Sequence, residues 1–237
     1  MKVVILAGGY GTRLAEYTND IPKPMVKIGK EPILTHIMRF FSSFGFNSFI
    51  IAAGYKQEFI FDYYKDSIKL QKEFPNLEIV NTGKDTMTGG RILKLKNYFN
   101  ENENFFMTYG DGLSDVDLNK LKKFHDSHGK LATVTAVHPP VRFGELKIEN
   151  DKVLKFEEKP KSESTWINGG FFVLNYKVFD YIQDDNTLFE KKPMEQLAKE
   201  GNLMSFNHEG FWKCMDNMGD KMSLEKMLNE NKALWKK

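Results

Sequence analysis

The run Val3-Val4-Ile5-Leu6-Ala7, which ends on Gly8, Gly9 and Gly11, most limits what this chain can fold into. Five consecutive apolar residues show no alternation, so both faces of the segment need cover. That predicts a buried parallel strand in a layered α/β fold. In an open parallel sheet, ligands bind beyond the carboxyl ends of the strands. Glycines at such an end let backbone N–H groups approach a ligand closely, and successive N–H groups in a turn form an anion-binding concavity. Arg13 follows, with a planar fork suited to phosphate oxygens. Two familiar phosphate loops are excluded. The Gly-Lys-Ser/Thr of a Walker loop is absent, and counting from Gly9 and Gly11 the third glycine of a dinucleotide fingerprint falls on Leu14.

Ten residues past Arg13, Lys23 stands between Pro22 and Pro24, both with fixed φ and no N–H. This predicts a stiff, extended segment that presents a cation with little reorganisation. The stretch FFMTYGDG puts Asp111 just past another apolar run, and FWKCMDN puts Asp216 in a similar place. Converging on one rim, the two carboxylates would suit Mg²⁺, which keeps waters and phosphate oxygens in its other positions. The histidines compete poorly. His125 and His128 have a metal-compatible spacing but a Lys-rich context that reads as surface, and His36 and His138 have no evident partners. Cys214 lacks an adjacent base and reads as a small buried apolar residue.

Apolar runs at 47–55, 77–83 and 104–110 alternate with helical spacing at 31–44, near 59–64, at 91–99 and from Asp117 to His128. This β-α rhythm implies parallel strands joined by crossovers. After residue 130 the rhythm changes: 131–137, 143–149, 152–159 and 168–175 read as strands with little room for helices between them. A short helix near 176–183 and another starting near Pro193 follow. We therefore expect a single α/β domain over 1–237, with halves 1–130 and 131–237 and mixed-sheet elements added in the second. A net charge of +2 with scattered Lys and Arg gives no electrostatic footprint for nucleic acid. No apolar run approaches the roughly 18 residues of a membrane span. With Cys214 as the single cysteine, no internal disulfide exists, so we expect a soluble cytoplasmic protein without a membrane partner.

LAGGYGTRL followed by IPKPMVKIGKEPILTHIM resembles the sugar-1-phosphate nucleotidyltransferases. DTMTGGRI, FMTYGDGLSDVD, FGELKI, FEEKP, INGGFFVLN and FWKCMDN are similar, within that family, to the glucose-1-phosphate cytidylyltransferases. The resemblance covers nearly the whole chain and implies a Rossmann-like nucleotidyltransferase fold: a predominantly parallel central sheet flanked by helices. It implies that CTP and a sugar 1-phosphate, α-D-glucose 1-phosphate first, give CDP-glucose and pyrophosphate with Mg²⁺, for nucleotide-sugar and polysaccharide biosynthesis. It also implies a homo-oligomer. Carried over by motif, Leu6, Ala7, Gly8, Gly9, Tyr10, Gly11, Thr12 and Arg13 wrap the nucleotide, and Lys23 contacts its phosphates. Thr86, Met87, Thr88, Gly89, Arg91, Gly110 and Asp111 complete the CTP site, and Asp111 with Asp216 holds the metal. Gly144, Glu158, Lys159, Asn168 and Gly169 match the sugar-phosphate side, which makes 131–237 the sugar-phosphate half and 1–130 the nucleotide half. Arg13, Lys23, Asp111 and Asp216 are the expected catalytic set. One departure stands out: only a handful of residues near 70–76 precede LEIVNTG, where cytidylyltransferases carry a longer excursion. The rival readings are the same reaction with UTP, dTTP or another phosphorylated acceptor, and a non-catalytic nucleotide-sugar-binding module.

Overall fold

The computed structural model describes residues 1–14, 18–139, 144–158 and 165–236; of Arg13 and Glu145 it describes the backbone. Seven strands build one central sheet: β1 (Val3–Ala7), β2 (Ser48–Ala53), β3 (Asn76–Asn81), β4 (Asn104–Tyr109), β5 (Ala132–Val137), β6 (Ile167–Asn175) and β7 (Leu203–Asn207). Their spatial order is β3-β2-β1-β4-β6-β5-β7. β6 runs antiparallel to both neighbours, and the other pairings are parallel. The expected, predominantly parallel sheet is present.

The helices bounded within the described residues are α1 (Ile33–Ser42), α2 (Gln57–Lys65), α3 (Ile68–Glu73), α4 (Thr88–Leu93), α5 (Leu118–His128), α6 (Lys192–Lys199) and α7 (Met218–Asn229). β1 shows why both faces must be covered. Val3, Ile5 and Ala7 enter one core with Ile37, Phe41 and Leu121, while Val4 and Leu6 enter the other with Ile92, Phe179 and Leu197. Because side chains alternate across a strand, an unbroken apolar run feeds two cores at once.

β1 is where the strand order turns back: β2 and β3 continue to one side and β4 lies on the other. The crevice beyond the carboxyl ends of β1 and β4 is thus the topological switch point where such sheets bind ligands. The glycines follow one strand and Gly110-Asp111 follows the other.

Four local expectations change. The Pro-Lys-Pro segment is extended only at Pro22 (φ −68°, ψ 146°), and Lys23–Met25 forms a 3₁₀ turn. The fixed φ of Pro24 suits that turn, and its missing N–H falls where a first helical turn leaves donors unused. The helix read over 91–99 begins at Thr88, ends at Leu93 and gives way to a 3₁₀ turn at Lys96–Tyr98. The short connection before β3 is itself helical, as α3, capped where Ser67 Oγ accepts from the Leu70 N–H. The strands read at 143–149 and 152–159 pair with each other, as Glu145–Glu149 and Lys152–Glu157, in a ribbon outside the central sheet. Among the described residues, no helix is long and apolar enough to cross a membrane.

Candidate active site

Asp111 follows β4 directly, but Asp216 arrives by a longer route. The segment Trp212–Cys214 pairs antiparallel with Gly112–Ser114, setting Cys214 opposite Gly112. The Met215 N–H then donates to the Asp111 carbonyl at 2.9 Å. Asn217 caps α7 by accepting from the Asp220 N–H, and the Asp216 N–H donates to Asp220 Oδ2 at 3.1 Å. Asp216 is thereby fixed between a ribbon and a helix start.

Lys23 comes up between the two aspartates. Its Nζ lies 2.5 Å from Asp111 Oδ2 and 2.8 Å from Asp216 Oδ1. The lysine is 7% exposed. Burial alone would lower its pKa, but the two carboxylates outweigh that and raise it above the ordinary lysine value. The ammonium therefore stays charged. Among the described residues, no group of three or more His, Cys, Asp or Glu side chains could hold a metal ion. The donor set is the carboxylate pair, whose side chains remain 22% and 18% exposed toward the cavity. Hard oxygens, two carboxylates and open positions for phosphate oxygens fit a magnesium-type ion.

A cavity of about 590 Å³ opens above this trio, within the usual range for small-molecule sites. Leu6, Ala7, Gly8, Gly9, Tyr10, Gly11, Thr12, Lys23, Thr86, Met87, Thr88, Arg91, Gly110, Asp111, Asn168, Gly169 and Asp216 all line it. The structure thus brings together most residues carried over by motif. Gly89 is placed differently. Its N–H donates to the Thr187 carbonyl, and a Cβ on neighbouring Gly90 would stand 2.5 Å from Asp185 Cα. Those glycines admit the 185–189 backbone and do not face the cavity. Gly144 and Glu158 flank the ribbon of 145–157, apart from the cavity lining. The Arg13 side chain and Lys159 lie outside the described residues.

Arg91 lines the cavity, yet its guanidinium is spent on the chain. It donates to Gly8 O at 2.8 Å, Gly83 O at 2.7 Å, Thr82 Oγ1 at 2.7 Å and Lys84 O at 3.2 Å. A Cβ on Gly8 would meet Arg91 Nη1 at 2.1 Å, so a larger residue there would have to displace the guanidinium from these acceptors. Tyr10 donates its hydroxyl to Asp85, which raises the phenol's pKa, and its ring packs on Tyr55. Tyr109, Trp212, Cys214 and Glu190 also face the cavity, and sequence reading assigned them no role there. Tyr109 and Trp212 belong to motifs that were legible, FMTYGDG and FWKCMDN. Glu190 sits in a turn that carries no motif. Cys214 is half-buried on the cavity wall, not the buried apolar filler its sequence context suggested. His36 and His138 do have partners: Ile28 O and Trp235 for the first, Thr165 O and Glu209 for the second.

Comparison with known proteins agrees with this fold. A family model described as nucleotidyl transferase matches residues 2–230. Glucose-1-phosphate cytidylyltransferase from Salmonella typhi is 45% identical over 254 aligned residues, covering 100% of this chain and 99% of that protein. A probable glucose-1-phosphate cytidylyltransferase from Bacillus subtilis is 43% identical over 254 residues with the same coverage. Among solved structures, HddC from Yersinia pseudotuberculosis superposes with a TM-score of 0.75 at 26% identity, covering 96% of this chain and 99% of that one.

Proposed function

This chain belongs to the nucleotidyl transferase family, and we propose that it transfers the cytidylyl group of CTP to α-D-glucose 1-phosphate, giving CDP-glucose and pyrophosphate. The observation that carries this reading is the Lys23 ammonium held between Asp111 and Asp216 at the switch point, under a glycine loop. Full-length similarity to cytidylyltransferases supports the choice of nucleotide and sugar.

The chemistry is an in-line displacement. A phosphate oxygen of the sugar phosphate attacks the α-phosphorus of CTP, that P–O bond forms, and the bond to the β-phosphate oxygen breaks. The attacking phosphate is already anionic near neutral pH, so no general base is required. The protein's task is to hold two anions together and offset their repulsion. The glycine-loop N–H groups cradle the triphosphate, and Arg13 neutralises the departing pyrophosphate. Asp111 and Asp216 would hold Mg²⁺, which when bound supplies positive charge to triphosphate oxygens. Lys23, poised on the same carboxylates, orients the phosphates. Asn168 and Gly169, which line the cavity, stand on the sugar-phosphate side.

Base choice tests the reading. A pocket that accepts from the cytosine amino group would set acceptor against acceptor with uracil, at about 1–3 kcal/mol per unpaired buried group. We expect CTP to be preferred over UTP by at least about tenfold in kcat/KM, with ATP and GTP poorer. Pyrophosphate release measured with each nucleotide and several sugar phosphates checks this. Equal use of UTP and CTP would defeat the cytidylyl assignment and leave the nucleotidyltransferase assignment standing.

A further inference from the structure

Among the described residues, four acidic side chains line the cavity: Asp85, Asp111, Glu190 and Asp216. Asp111 and Asp216 face Lys23, and Asp85 accepts from Tyr10. Among the described residues Glu190 has no cation beside it, and it comes from the second half of the chain. Its Oε1 accepts from the Tyr109 hydroxyl at 2.6 Å and its Oε2 from the Thr88 hydroxyl at 2.5 Å. A carboxylate offers about four acceptor positions. One on each oxygen is therefore used, and one on each is left.

The carboxylate is held stiffly. Phe189, next in the chain, is fully buried against Phe172, and its N–H donates to Thr88 Oγ1 at 3.0 Å. Met87 and Gly89 tie their N–H groups to Asp185 O and Thr187 O. Burial beside Glu190 raises the Tyr109 phenol well above its ordinary pKa, so its hydroxyl remains a donor. The Asn168 amide also reaches Tyr109 Oη, at 3.4 Å.

A fixed negative group cannot favour the phosphates, which it repels. What it can recognise is the uncharged, hydrogen-bond-donating part of a ligand, and one free position on each oxygen matches two neighbouring hydroxyls. Resting on the nucleotidyltransferase reading above, we propose that Glu190 recognises a vicinal diol on a substrate sugar ring, either the ribose of the nucleotide or the hexose of the sugar phosphate. It is a specificity-determining residue supplied by the turn before α6.

Steady-state kinetics of the wild type and Glu190→Gln test this with CTP, its deoxyribose forms, glucose 1-phosphate and the deoxyglucose 1-phosphates. The variant should lose about tenfold or more in kcat/KM with the fully hydroxylated pair, the range for a hydrogen bond to a charged group. That gap should close with the one analogue lacking the recognised hydroxyl. Closure with a deoxyribose form assigns the ribose, and closure with a deoxyglucose phosphate assigns the hexose. A gap that persists with every analogue overturns the proposal. So does a variant that changes only the CTP-to-UTP ratio, since the carboxylate would then read the base. Should Glu190→Gln fail to fold, Tyr109→Phe, which removes one of the two donors fixing the carboxylate, should show the same closure to a smaller degree. Wild-type turnover is a separate check. If it makes no CDP-glucose, the function above fails, and the diol comparison proceeds with whichever nucleotide and sugar phosphate it does use.

Discussion

Arg91 shows how one side chain can brace a glycine loop through acceptors of the chain itself. Its two terminal nitrogens bond the carbonyls of Gly8, Gly83 and Lys84 and the Thr82 hydroxyl. These acceptors belong to the loops after β1 and β3, so a rigid fork joins two walls of the cavity. Lysine could not do this, because a point charge on a flexible stem cannot span diverging carbonyls. Arg91→Lys should leave at least one or two buried acceptors unpaired, at about 1–3 kcal/mol each. We expect roughly 3 kcal/mol less stability in urea unfolding, and a KM for the nucleotide that rises more than kcat falls. If stability holds while kcat collapses, Arg91 acts on the bound nucleotide directly, in the CTP site to which its motif assigned it.

At the level of elements, α5 and β5 are stitched by a polar bridge in an apolar setting. Thr133 Oγ1 lies 2.9 Å from His125 Nδ1 and 2.8 Å from His128 Nε2. His125 is buried, and desolvation first, then the neighbouring His128, pushes its pKa from 6.5 down to about 4. The unfolded chain therefore binds a proton that the folded chain refuses between those values. Stability from this group is complete above pH 6.5 and is lost as pH falls toward 4, by as much as about 3 kcal/mol. Denaturant melts of wild type and His125→Gln across pH 4–7.5 check this: the variant should start less stable and show the shallower fall. The Lys-rich sequence around His125 read as surface, yet Leu118, Leu121 and His125 share one buried stripe at helical spacing. There the periodicity was present and local charge masked it. β1, β2 and β4 were legible for the opposite reason, because strands covered on both faces appear as unbroken apolar runs. Asp111 was legible as the residue past such a run. Its convergence with Asp216 was expected as well; what the sequence did not show is the pairing of two three-residue strands that brings it about, too short to show a period. Glu190 left no trace, because its placement depends on a turn packing against glycines about a hundred residues away.

Across the whole molecule, residues near Trp235 hold the rim that carries Asp216 in place. Trp235 is 1% exposed, stacks on Phe211 with ring centroids 5.6 Å apart, and donates its Nε1–H to His36 Nδ1 at 3.4 Å. His36 Nε2 then donates to Ile28 O, so the neutral ring uses one nitrogen each way, and burial lowers its pKa to keep it neutral. Phe211 is pinned in turn: its N–H donates to Asp115 Oδ1 and its carbonyl accepts from the Ser114 hydroxyl. The next residues form the ribbon that delivers Asp216. Trp235→Ala removes the stacking partner of a residue one step from that ribbon, and a large-to-small change at a buried tryptophan costs about 3–5 kcal/mol. Because Asp216 would then be held less firmly opposite Asp111, the variant should also need several-fold more Mg²⁺ for half-maximal turnover. Trp235→Phe keeps a ring on Phe211 and loses only the Nε1 donor, so it should be milder in both measurements. Urea unfolding supplies the first quantity. Magnesium titration of activity, at a temperature where each variant is folded, supplies the second. A Trp235→Ala protein that loses stability yet keeps the wild-type magnesium requirement would show that the tail and the metal rim are mechanically independent.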